Sequence, residues 1–120
     1  MAAQTRRIVV GYDGSEDATR ALAVAADLVG YGSTLAVVAL HDGSHPVGTA
    51  AAARRQLQRR HVEARYHEAY GEPAEELVAK AKELDADLLV VCRRGWGGLD
   101  AVSLSERVLR RASCDVLVVQ

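Results

Sequence analysis

The chain has 120 residues, 49% of them hydrophobic, enough for one packed core and too few for two, so a single domain over residues 1–120 is expected. Fifteen Lys and Arg against sixteen Asp and Glu leave a net charge of -1, which supplies no long-range field for a nucleic-acid backbone or an anionic membrane, and neither is an expected partner. No apolar run reaches bilayer length and residues 1–7 lack a secretory h-region, so the expected location is the cytoplasm.

Apolar runs alternate with stretches of helical period, the pattern of a parallel α/β sheet. The first strand is predicted over Arg7–Gly11. Asp13-Gly14-Ser15 then turns the chain into a helix, with Ser15 as N-cap and Glu16 and Asp17 favourably placed on its dipole. Ala18, Ala21, Leu22, Ala25, Leu28 and Val29 mark the expected buried stripe, and Gly30 and Gly32 stop the helix. Thr34–Leu40 is continuously apolar, as in a central strand covered on both faces. Turn chemistry from His41 to Gly48 leads into an Ala- and Arg-rich helix over Thr49–Arg60. Val62, Ala64 and Tyr66 alternate with Glu63, Arg65 and His67, a period of two that predicts an edge strand with one wet face. Pro73 suits the first turn of a helix carrying Ala74, Leu77, Val78, Ala81 and Leu84 on one face and the pair Glu76 and Lys80 on the other. Leu88–Cys92 is another buried run, followed at once by Gly95-Trp96-Gly97-Gly98. Leu104, Val108, Leu109 and Ala112 set a last short helix before a strand over Asp115–Gln120.

Right-handed crossovers leave few windings for five such strands. The order 3-2-1-4-5, a five-stranded parallel doubly wound sheet, puts helices on both faces and the reversal between the first and fourth strands. The crevice at that reversal is lined by residues 12–15 and 93–98. Backbone N–H groups of Gly95, Gly97 and Gly98 can approach phosphate oxygens there, Arg93 or Arg94 can offset the charge, and Asp13 can accept from a ribose hydroxyl. Tight turns explain the same glycines equally well, and neither a P-loop nor GxGxxG is present.

The order of elements and several strings resemble the universal stress protein family over nearly the whole chain. Ile8-Val9-Val10-Gly11-Tyr12-Asp13-Gly14-Ser15 is similar to that family's first strand and turn, Gly71-Glu72-Pro73 to the start of its third helix, and Asp87–Val91 to its fourth strand. Glu106-Arg107-Val108-Leu109-Arg110 and Cys114–Val119 are similar to its last helix and strand. The resemblance implies an adenine nucleotide alpha hydrolase-like fold, a homodimer serving in stress tolerance, and ATP or AMP as cofactor in some members. It also implies that Asp13 contacts ribose and that Leu40 packs on adenine. The family's ligand loop reads Gly-x-x-Gly and, further on, Gly followed by Ser or Thr. Here those positions carry Cys92, Gly95, Val102 and Ser103 across a shortened segment, so only Gly95 and Ser103 match. A branched Val102 is denied the left-handed backbone open to glycine. The reading that follows is a regulatory module with a degenerate nucleotide pocket; the alternative is an ATP- or AMP-binding sensor using Asp13, Gly14, Ser15, Leu40, Arg94, Gly95, Gly97, Gly98 and Ser103.

Val116-Leu117-Val118-Val119 is apolar on both faces yet falls on the sheet edge, which predicts a homodimer through this strand. The spacing of His41, His45, His61 and His67 completes no ligand set, so no structural metal is expected. Cys92 and Cys114 end and precede adjacent strands, which allows a redox pair or two buried thiols. Arg54, Arg55, Arg59 and Arg60 make a basic helix face whose field the nearby glutamates cancel. Trp96 can stack on a base or shield its own loop. No histidine is placed by a motif against Ser15, Ser103 or Ser105, and catalysis is not expected.

Overall fold

The computed structural model describes residues 6–30, 32–41, 49–93 and 104–120. Nine elements follow in the predicted order: β1 (Arg7–Tyr12), α1 (Glu16–Leu28), β2 (Thr34–His41), α2 (Thr49–Arg59), β3 (Arg65–Tyr70), α3 (Pro73–Glu83), β4 (Leu88–Cys92), α4 (Leu104–Arg111) and β5 (Asp115–Val119). All strands are parallel, in the order β3-β2-β1-β4-β5. The doubly wound sheet expected from the spacing of the apolar runs is the sheet that forms.

Strand alternation divides the core into two layers. Ile8, Val10, Tyr12, Leu35 and Val37 face α1 and α2, where Ala21, Leu22, Ala25 and Leu57 meet them. Val9, Val38, Leu40, Leu89 and Val91 face α3 and α4, against Ala74, Leu77, Leu104 and Val108. Both helical faces rely on alanine, whose single methyl lets the helix lie close to the sheet. Gly11 extends that economy to the strand itself: a Cβ there would sit 2.8 Å from Leu77 Cδ2 and 3.4 Å from Leu40 Cδ1. The contact explains a glycine inside an otherwise apolar strand.

The helix starts behave as their residues dictate. Ser15 Oγ accepts from the Ala18 N–H at 3.1 Å, and Glu72 caps α3 by accepting from the Glu75 N–H at 2.7 Å. At the lower end of the sheet, Arg7 and Asp87 exchange hydrogen bonds. The Arg7 N–H donates to Asp87 Oδ2 and the Asp87 N–H to the Arg7 carbonyl, each at 2.8 Å.

Several details depart from expectation. Val62 and Ala64 are not in a strand: His61 takes a left-handed φ of 56°, and the Val62 N–H folds back onto the Leu57 carbonyl at 3.0 Å. The chain therefore closes α2 first, and pairing starts at Arg65. Leu28 is 41% and Leu109 53% exposed, against their assignment to buried stripes. Each lies in the last turn of its helix, beyond the reach of the sheet, and Ala26 takes the buried place in α1. Lys80 pairs with Glu83 at 3.2 Å, not with Glu76.

Candidate functional site

The site begins where two strands part. β1 pairs with β4 only through Val10 and Val90; beyond that, Gly11 and Tyr12 stay with β2 while Val91 and Cys92 follow β5. Ladder groups released in this way, at the carboxyl ends of parallel strands where the winding reverses, open the crevice that doubly wound folds use for ligands.

Asp13 sits at this divergence and is buried, with 4% of its surface exposed. Its Oδ1 accepts the Ser15 N–H at 2.9 Å, an Asx turn that fixes the carboxylate relative to the backbone. Gly14 completes the turn at φ +87°, with open space where a side chain would be. Ser15 has its hydroxyl committed to the helix cap, and its carbonyl accepts from both the N–H and the hydroxyl of Thr19 at 2.9 Å. Among the described residues, the second Asp13 oxygen is therefore the open acceptor of this turn. Leu40, at the matching end of β2, is 2% exposed and lies beside Gly11 and Leu77. Asp13, Gly14, Ser15 and Leu40 thus gather at one end of β1 and β2. Arg94, Gly95, Trp96, Gly97, Gly98, Val102 and Ser103 lie outside the described residues, as does His45.

Two neighbours of the crevice behave differently from expectation. Cys92, at the family's first loop-glycine position, is 2% exposed and turns into the α1-side core with Val10 and Tyr12. Burial, together with the Asp13 and Asp17 carboxylates, pushes its thiol up to about 12. Cys114 is also raised, by burial and then by Asp115 and Asp87. Cys114 precedes Asp115, which pairs with Leu88, whereas Cys92 faces Val119. The two sulfurs thus belong to opposite ends of the strand pair, about 16 Å apart at ~3.3 Å per residue. That span excludes a disulfide between them. Arg93 is drawn to the chain end, its N–H donating to the Val119 carbonyl at 2.9 Å and its Nη1 to Gln120 Oε1 at 3.2 Å.

A feature that sequence reading missed stands beside β2. The His41 ring stacks on Tyr70 with centroids 4.8 Å apart and planes 18° from parallel. His41 Nε2 is 3.2 Å from Glu68 Oε1, within ion-pair distance but not aligned as a hydrogen bond. The pairing of His41 with Tyr70 across β2 and β3 creates the contact, and no local motif signals it. Arg54 lies over the Tyr66 ring at 4.4 Å, and Arg60 Nη1 donates to Asp27 Oδ1 at 3.0 Å, so part of the basic α2 face is engaged within the chain. Among the described residues, no cluster of His, Cys, Asp and Glu could hold a metal ion, and no helix is long and apolar enough to cross a membrane.

Comparison with known proteins decides the family. The profile described as "Universal stress protein family" matches residues 4–120. The chain belongs to the universal stress protein family. Universal stress protein Sll1388 of Synechocystis is 39% identical over 69 residues, covering 55% of this chain and 45% of the relative. Universal stress protein MJ0531 of Methanocaldococcus jannaschii is 43% identical over 53 residues, covering 42% and 31%. The matched stretch is thus under half the length of either curated relative. A universal stress protein solved in complex with cAMP is 27% identical, with 96% of each chain covered and a TM-score of 0.81. The universal stress protein from Archaeoglobus fulgidus in complex with dAMP shares the fold, at 21% identity, 98% coverage of each chain and a TM-score of 0.73.

Proposed function

We propose that this universal stress protein is a cytoplasmic stress-response module that works by homodimerisation and binding, not turnover. Its pocket keeps the sugar side and is weak on the side of the outer phosphates. The carrying observation is Asp13, whose carboxylate is buried at the β1–β4 divergence with one oxygen fixed by Ser15 and the other left to accept from a ribose hydroxyl. Val102, standing where the family loop has glycine, and the shortened segment around it argue against a full triphosphate cradle. The ligand that fits both features is an adenosine monophosphate, ahead of ATP. A neighbour at 27% identity solved with cAMP supports this ligand class. The dimer is proposed through β5, whose Val116, Leu117, Val118 and Val119 are all partly exposed on the sheet edge.

Isothermal titration with AMP, cAMP and ATP, with and without magnesium, tests the reading. AMP or cAMP should bind more tightly than ATP, and Asp13→Ala should weaken that binding about tenfold, the loss of one charge-assisted hydrogen bond. Tighter binding of ATP would overturn the phosphate-side reading. Absence of heat with all three would reject a nucleotide ligand, and phosphate release above background would show turnover.

A further inference from the structure

At the opposite end of the sheet from Asp13, the rows that form the α3-side core change character. Along β1 the row reads Arg7, Val9, Gly11; along β2, Thr34, Ala36, Val38, Leu40; along β3, Arg65, His67, Ala69. Each row is apolar beneath α3 and becomes polar or cationic toward the strand starts. The reason lies in the crossover. α3 ends at Glu83, Leu84 caps it, and the chain turns away to β4. The lower part of the β1–β2–β3 face is therefore left without a helix.

This uncovered face is concave. A cavity of about 260 Å³ is lined by Arg7, Val9, Ala36, Arg65, His67 and Leu84 among others, and no carboxylate lines it. Among the described residues, neither the Arg7 nor the Arg65 guanidinium has an ion-pair partner. His67 Nε2 is buried without a hydrogen-bond partner. A buried ring nitrogen beside an apolar floor is costly unless something complements it, and the two exposed guanidinium groups at the rim are free to turn toward whatever does. Two planar guanidinium groups suit a carboxylate, which accepts bidentate hydrogen bonds. The imidazole, as the Nε2–H tautomer, supplies a third donor. Val9, Ala36 and Leu84 provide surface for an apolar body and none for a second charge. The volume lies just below the usual range of ligand cavities, which restricts the occupant to a small molecule.

We infer that this groove is a second ligand site, independent of the crevice at Asp13, which takes a small organic carboxylate with an apolar body, its carboxylate between Arg7, Arg65 and His67 and its body on Ala36 and Leu84. The test is a titration of the ¹⁵N-labelled full chain with benzoate, benzamide and inorganic phosphate, followed by amide shifts. Benzoate should give saturable shifts at millimolar concentration centred on Ala36, Arg65, His67 and Leu84. Arg7→Gln and Arg65→Gln should each weaken it about tenfold. Both arginines are exposed, so these variants should keep the wild-type spectrum. Ala36→Leu, which fills the floor and leaves every charge in place, should abolish the shifts. Benzamide binding as well as benzoate would overturn the charged recognition, and phosphate binding as well would overturn the apolar body. Shifts that never saturate would overturn the site.

Discussion

The two edges of the sheet solve the same problem in different ways. β3 and β5 each leave one row of backbone groups unpaired, which invites another strand. On β3 the exposed positions are Arg65, Glu68 and Tyr70, with Arg54 over Tyr66 and Glu68 beside His41. Charge and rings on both faces make that edge a poor template for a second chain. β5 has one charge, Asp115, and then four half-buried aliphatic residues. The pairing order thus places the most hydrophobic free edge at one end and the most polar at the other. An edge is kept monomeric by its side chains, not by its position.

The contrast can be broken most directly at Val118. Val118→Lys gives β5 the charge that β3 already carries, and the dissociation constant of the proposed β5 dimer should rise at least about a hundredfold, since that interface would lose two copies of the valine. Analytical ultracentrifugation reads this, and an unchanged dimer would place the interface elsewhere. A smaller effect concerns how well β5 shields β4. Cys92 is held neutral, with its ionisation raised to about 12 from an ordinary 9.0. Below pH 9 both folded and unfolded chains keep the proton and stability is complete. Above it the unfolded chain ionises first, so stability falls as pH rises from 9 toward 12. Urea melts should lose at most about 4 kcal/mol across that window, and Cys92→Ala should remove this part of the slope. If the two slopes coincide, the thiol is reached by solvent and β5 shields little. The smallest effect is on β3: Tyr66→Ala should cost about 1 kcal/mol, mostly its cation–π contact and partial burial, with the oligomeric state unchanged. A change in association would show that β3 also takes part.

Much of this was legible in the chain. The apolar runs of β1, β2 and β4 are buried on both faces, so their centrality is legible in the runs themselves, and the crossover rule supplies their order. Ser15 and Pro73 mark helix starts because their chemistry is local. Tertiary contact decides the rest. The β3 start moved from Val62 to Arg65 because the end of α2 captured the intervening backbone. Leu28 and Leu109 keep the helical period past the point where a sheet remains to cover them. Gly11 carries no local signal of its packing role, since Leu77, the side chain that needs the space, is 66 positions away in sequence. At the candidate site, the Asp13-Gly14-Ser15 turn is legible because its chemistry is local. The His41–Tyr70 stack is not, because neighbours across strands carry no sequence spacing of their own.

The close approach at Gly11 has a mechanical consequence. Because Leu77 rests where a β-carbon would be, the stand-off between α3 and the first strand is fixed by a single absent methyl group. Alanine there would act as a shim, levering the helix outward beside the point where β1 and β4 part. Crevice width would thus become adjustable from behind, by a residue that need never meet what the crevice holds.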